Sequence, residues 1–370
     1  VHKPQKQKER SEIMRKLTDL GKIALAAFAL VASVCQTTSA EEKLVDLKSC
    51  WQPEHATFIM WNAKEKGWDK QAGFKTEFVY FDSGMAQIEA LPAKQWVVGE
   101  TGGVPMLVGA MRYGAYLIGI ANDDSTSNVV MVRPDSPIMK SKGAVAGFPE
   151  TYGTADAVRG KTVLVTTVSS GHFALSTWLK RLGLKDKDVV IKNMDQGQML
   201  AAFESGIGDI AVLWAPGMYT GLAKGWKIAN RDSQKGANQL NVLIADKKYA
   251  DENPEQVAKF LRVYMQGVDY MKAENVKLAP GYVKFLKDWA GVKLTEENAI
   301  ADIKERTIYD LKEQLKLFDA SKGPSEVETW MAGAADFFVE QGKFKKDEID
   351  KVMKSGFVTD KFLKLAATMK

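Results

Sequence analysis

Cysteine, histidine and long apolar runs are all scarce in this chain, and each scarcity excludes something. Only Cys35, Cys50, His2, His55 and His172 carry thiol or imidazole groups in 370 residues. Cys50, His55 and His172 show no metal-ligand spacing, so no metal and no cofactor is expected. The apolar run IALAAFALVASV, residues 23–34, has 12 residues. That is short of the roughly 20 a membrane-spanning helix needs. Preceded by Lys16 and Lys22 and followed by TTSA before EEK, it reads as a secretory signal with cleavage after Ala40. Met14 heads that signal, which makes residues 1–13 an upstream extension. Lipidation at Cys35 is the alternative, although Val34 is larger than the small residue such sites prefer.

Excess charge is scarce too once residues 1–40 are set aside. They hold seven basic and three acidic side chains, so the formal +5 of the whole chain falls to +1. A nucleic-acid partner thereby loses its electrostatic support. With Cys35 gone, Cys50 stands alone and no internal disulfide is expected, so stability must come from the core.

What is present is an alternation of strand-like and helix-like segments, the grammar of an α/β chain. KLVDLKSC, FKTEFVYF, QWVVGE and AYLIGIA read as one set of strands, and KTVLVTT, DVVIKNM and DIAVLW as a second. The sets look alike. Asp82 aligns with Asp195, Gly84 with Gly197 and Val97 with Ile210 at one offset of 113 residues. The helix before Gly67 is then the twin of the helix before Gly183. Two similar lobes follow, with VVMVRPDSPI (129–138) and GWKIANRD (225–232) as the strands crossing between them. Two crossings permit a hinge, and the carboxyl ends of the strands in both lobes would face one cleft. From Asn253, an N-cap followed by Pro254, the chain turns helical, with Trp330, Phe337 and Phe338 read as core.

The turn TTVSSGH leads into a helix whose apolar stripe is Leu175, Trp178, Leu179 and Leu182, stopped by Gly183. Unpaired N–H groups and the helix dipole suit such a start to an anion. The plain alternative is that Ser169 or Ser170 only caps the helix. Enzyme signatures are incomplete. GKT at 160–162 opens a strand and lacks the first P-loop glycine, and TVSSG lacks the first glycine of a nucleophile elbow. The rival to a binding protein is an exported serine hydrolase using Ser170 with His172 or His55.

VVMVRPDSPI, GKTVLV…SSGH, AAFESGIGDIAVLWAPGMY and AADFFVEQGKF together resemble the taurine, aliphatic sulfonate and nitrate solute-binding proteins of ABC importers, over most of residues 44–345. The resemblance implies a type II periplasmic binding protein fold. It has two α/β lobes joined by a two-strand hinge and a helical C-terminal region. Lobe one would comprise 41–129 plus 230–370, and lobe two 130–229. The resemblance also implies a periplasmic protein that captures a small organic anion for a permease in the inner membrane; no catalytic turnover is expected, and a monomer is expected. It places the anion-binding turn on Ser169, Ser170 and His172 and an aromatic platform on Trp214. First-lobe ligand loops fall on Trp51, Gln52 and His55, on Asp82, Ser83 and Gly84, and on Glu100 and Thr101. The related pyrimidine-precursor binding proteins share this fold, which leaves a flat heterocycle or an amino-acid-like solute as the alternative cargo. Glu100, Asp82 and Asp123 lie on first-lobe loops and would suit an ammonium group, favouring a zwitterion such as taurine. The alternative is that these carboxylates only cap helices or line turns.

Overall fold

The alternating segment VDLKSCW forms β1 (Val45–Trp51), which pairs in parallel with β2 (Phe74–Tyr80) and β3 (Val98–Gly102). A computed structural model gives the structure, which describes residues 43–231 and 239–369 together with Glu12 and Met14. The segment read as a signal, with Cys35, lies outside the described residues. No helix among them is long and apolar enough to cross a membrane.

The first sheet has the order β2-β1-β3-β10-β4, with β4 at Ala115–Asp123 and β10 at Leu240–Asp246. The second has the order β7-β6-β8-β5-β9, from β5 (Val129–Val132), β6 (Thr162–Val165), β7 (Val190–Asn193), β8 (Ile210–Leu213) and β9 (Lys227–Arg231). Each holds three parallel strands, then an antiparallel strand contributed by a distant part of the chain: β10 between β3 and β4, β5 between β8 and β9. The internal similarity of the sequence is thus a repeat of topology. Register agrees, since β3 meets β1 at Val98 and β8 meets β6 at Ile210, one residue from the sequence alignment of Val97 with Ile210.

Three expectations need correction. LNVLIAD, the interior strand β10 between β3 and β4, is additional to the strands expected above. QWVVGE begins its strand only at Val98. VVMVRPDSPI is not one crossing strand: β5 ends at Val132, and Pro137–Lys140 is a 3-10 turn. Both β5 and β9 belong wholly to the second sheet, so the first crossing is the turn 124–128.

Helices cover both faces of the sheets, which explains why β4, β5 and β8 are almost continuously buried. The first is α1 (His55–Glu65). Next come α2 (Gly84–Ala90) and α3 (Gly103–Arg112), then in the second lobe α4 (Ser170–Arg181), α5 (Gln196–Glu204) and α6 (Gly217–Ala223). The predicted stripe of α4 is buried. Gly183 ends the helix at φ +74°, where the Leu184 N–H returns to the Leu179 carbonyl at 2.8 Å. The long helix α7 (Pro254–Glu274) buries Val257, Leu261, Tyr264, Val268 and Met271 against the first lobe. A Cβ at Gly267 would stand 2.9 Å from the Ile59 carbonyl oxygen, so this crossing with α1 needs glycine. Residues Val45–Lys370 form one compact unit.

Candidate ligand-binding site

All six helices α1–α6 begin directly beyond the carboxyl ends of strands, and the starts of α1, α2, α3, α4 and α6 converge. A cavity of about 30 Å³ lies where their starts meet, lined by Gln52, Glu54, Gly84, Gly102, Pro105, Asp124, Asn128 and Asn241 from lobe one and its crossing turn. Ser169, Ser170 and Trp214 of lobe two close it. The approach is close: a Cβ at Gly102 would stand 3.0 Å from the Ser170 hydroxyl oxygen.

The lobe-two wall is a donor surface. Ser169 caps α4, its hydroxyl accepting from the His172 N–H at 3.1 Å and donating to the Thr166 carbonyl at 2.6 Å. That satisfies one end of the helix and leaves the N–H groups of Ser170 and Gly171, with the Ser170 hydroxyl, without partners among the described residues. These are the orphan donors that an anion can meet.

The lobe-one wall is acidic. Glu54 accepts from the Asn241 amide, and beneath it Glu100 accepts the Gln52 N–H at 2.9 Å. Burial, then the charge of Glu54 and a hydrogen bond with it, pushes the Glu100 carboxyl well above the usual range. Asp124 accepts from the Ser127 hydroxyl at 2.5 Å and the Asn128 amide at 2.9 Å and is paired with the buried Arg306. Arg306 also donates to Asp302 at 3.0 Å. One guanidinium is thus shared by Asp124 and Asp302, and Glu54 has no ion-pair partner among the described residues. The carbonyl oxygens of the Asn128 and Asn241 amides and one nitrogen of Arg306 are buried without a partner among the described residues.

A family described as NMT1/THI5 like matches residues 52–277, the span holding the whole lobe-two wall and all of lobe one's except Arg306 and Asp302. The chain belongs to that family. A putative ABC transporter periplasmic binding protein of Brachyspira hyodysenteriae is 29% identical over 206 residues, 56% of this chain and 59% of that one. A putative aliphatic sulfonates-binding protein of Bacillus subtilis is 27% identical over 277 residues, 72% of this chain and 78% of that one. The taurine-binding periplasmic protein of Escherichia coli is 26% identical over 52% of this chain and 56% of its own length. The chain thus spans little more than half of two of these relatives. In fold it is similar to the alkanesulfonate-binding protein SsuA of Xanthomonas axonopodis pv. citri bound to MOPS, with a TM-score of 0.66 and 17% identity over 84% of this chain and 98% of that one. This is the periplasmic binding protein fold expected from the sequence.

Of the residues singled out in the sequence, Gln52, Gly84, Ser169, Ser170 and Trp214 line the cavity. The others do not. Trp51 is core, its indole N–H bonded to the Ser49 hydroxyl at 2.6 Å and its ring stacked 5.4 Å from Phe78. His55 is 1% exposed and edge-on to Tyr282 at 6.0 Å. Burial, with Arg306 adding to it, lowers its pKa to about 3, so it is a neutral core side chain. Asp82 is exposed and accepts from the Tyr80 hydroxyl at 3.0 Å, while Ser83 caps α2. Thr101 is buried next to the place a Gly84 side chain would occupy. Asp123 accepts the Ser125 N–H and hydroxyl at 2.9 and 2.5 Å, a turn cap; the neighbouring Asp124 is the residue that reaches the cavity.

His172 also turns away from the cleft. Its Nδ1 accepts the Val168 N–H at 3.1 Å, which leaves the proton on Nε2, 2.9 Å from Asp186. Both nitrogens are thereby committed inside lobe two, and the ring cannot take a proton from Ser170. Sequence reasoning missed Asn241, Pro105 and Arg306. Asn241 lies on the unrecognised β10, and Arg306 follows a helix 182 residues beyond Asp124.

Proposed function

We propose that this protein is the exported solute-binding component of an ABC importer, which captures a small organic acid carrying an amine and delivers it to an inner-membrane permease without turnover. A taurine-like sulfonate is the favoured cargo. The observation that carries this reading is the division of the cavity. The Ser170 hydroxyl at the start of α4, with the orphan N–H groups of that helix end, stands on one wall, and Glu54 and Asp124 stand on the other. An acid head accepts from the helix start and an ammonium group offsets the negative wall. The names of the sulfonate- and taurine-binding relatives support the same direction. The two sheets, one of β1–β4 and β10 and one of β5–β9, support lobe boundaries near 129 and 230, and ligand contacts on both walls would then favour a closed cleft.

Trp214 and the unpaired amide oxygens of Asn128 and Asn241 favour a second reading, a flat amino-heterocycle stacked on the indole. Calorimetric titration with taurine, ethanesulfonate, nitrate and an aminopyrimidine separates the two. A hydrogen bond to a charged group is worth about 1.5–3 kcal/mol, so Ser170→Ala should weaken taurine binding by about one to two orders of magnitude. Binding of the aminopyrimidine alone, unaffected by Ser170→Ala, would replace the first reading by the second.

A further inference from the structure

Away from the cavity the lobes touch a second time, through helix α8 (Glu326–Glu340). Ser325 caps it in a reciprocal bond with Glu328, and Val327, Met331, Ala335 and Phe338 form its buried face. Its N-terminal half sits on lobe one, where the Met331 sulfur would lie 3.4 Å from a Cβ at Gly103. Its C-terminal half reaches lobe two. The Phe337 ring meets Phe173 edge-to-face at 4.6 Å, and Phe338 lies 6.1 Å from Phe173 and 6.0 Å from His172. Val104 of lobe one, Phe173 of lobe two and Phe338 form an apolar cluster separate from both main cores. Ion pairs flank it: Lys180 to Glu340 at 2.6 Å and Lys343 to Asp186 at 3.9 Å. Phe337 and Trp330, read from spacing as core, are only half-buried because they lie at this junction.

We propose that residues 326–344 are an interlobe clasp, with Phe337 and Phe338 as positioning residues that hold the start of α4 against the ligand cavity. Phe173 lies one turn beyond Ser170, and a second cavity of about 20 Å³, lined by Val104, Ser170, Phe173, Leu240, Trp330 and Met331, separates the clasp from the ligand cavity by the width of Ser170. A hinge opening of the cleft pulls α4 off α8, so these contacts belong to the closed state and add to affinity without touching ligand. This inference rests on the binding-protein reading only for its effect on affinity.

The test uses spin labels at the exposed positions Lys70→Cys and Lys192→Cys, one in each lobe, with Cys35→Ser and the native Cys50 thiol buried. Without ligand, Phe337→Ala should lengthen or broaden the interlobe distance while leaving the thermal midpoint nearly unchanged. With taurine as the probe, its affinity should fall about two- to tenfold, the equivalent of about 0.5–1.5 kcal/mol for one aromatic pair, through faster dissociation. Glu340→Lys, which does not touch the aromatic cluster, should shift the distance the same way, and adding Lys180→Glu should reverse it. Distances in both variants that superimpose on the wild type would overturn the clasp. Absence of taurine binding to the wild type would instead refute the proposed cargo, and the ligand-free distances would still decide the clasp.

Discussion

Gly102→Ala isolates the cleft from the fold. Gly102 precedes α3 at φ −63° and ψ 150°, a conformation alanine adopts freely. Within lobe one the added Cβ meets only Pro105, at 3.5 and 4.0 Å, which is ordinary contact. Removing a glycine from the unfolded ensemble should then stabilise the free protein by about 0.4–1 kcal/mol. Across the cleft the same Cβ stands 3.0 Å from the Ser170 hydroxyl oxygen. That oxygen can rotate away at little cost, but a rotated hydroxyl no longer donates to the acid head. The loss is one charge-assisted hydrogen bond, about 1.5–3 kcal/mol, or about one to two orders of magnitude in affinity. Gly84→Ala is the contrast, because its Cβ would stand 2.6 Å from both Pro105 and Thr101 within lobe one and should lower stability itself. Calorimetric titration with taurine, with thermal unfolding of the free protein, reads both quantities. Wild-type affinity in a folded Gly102→Ala protein would refute the assigned geometry of the cleft.

Three further outcomes follow from the buried polar groups. Arg306→Ala leaves Asp124 and Asp302 as uncompensated buried carboxylates and should cost about 3–5 kcal/mol in urea denaturation; a loss below 1 kcal/mol would show that the cluster does not hold the crossing turn. His172→Ala orphans the Val168 N–H and an Asp186 bond and should cost about 1–3 kcal/mol for each group left unpaired, yet should weaken taurine binding less than Ser170→Ala does. A larger loss of affinity than of stability would return His172 to the ligand. Burial pushes the Asp302 carboxyl up to about 7, against the pull of the Tyr282 hydroxyl. A raised folded pKa contributes stability below the unfolded value near about 4 that is lost as pH rises through about 7, so the thermal midpoint should fall between about pH 4 and 7, and Asp302→Asn should flatten that slope.

Features fixed by neighbouring residues were legible in the sequence. The alternation in VDLKSCW, the cap Ser169 and the stop at Gly183 all act within a few residues, and each stands where its local chemistry puts it. LNVLIAD was not legible, because a short apolar run in a sheet centre looks the same as a piece of buried helix. Its neighbours β3 and β4 lie more than a hundred residues earlier. The turn around Asp123 shows a finer limit: adjacent residues point in different directions, so composition placed a carboxylate at the cleft and only the fold selects Asp124. His172 failed for a similar reason. Its ring folds back onto Val168 and reaches Asp186, 14 residues ahead, a partner that no local motif announces.

The central claim, one wall for an acid and one for an amine, is tested most directly by thermal stabilisation across a matched ligand set: taurine, ethanesulfonate, ethylamine, nitrate and an aminopyrimidine. A ligand at about a hundred times its dissociation constant adds about 2.7 kcal/mol, which for a chain of this size raises the midpoint by about 3–4 °C. Taurine should stabilise most, ethanesulfonate less and ethylamine least among the three, with Glu54→Gln reducing the advantage of taurine over ethanesulfonate. Equal stabilisation by taurine and ethanesulfonate, or a response to the aminopyrimidine with none to any anion, would contradict the account.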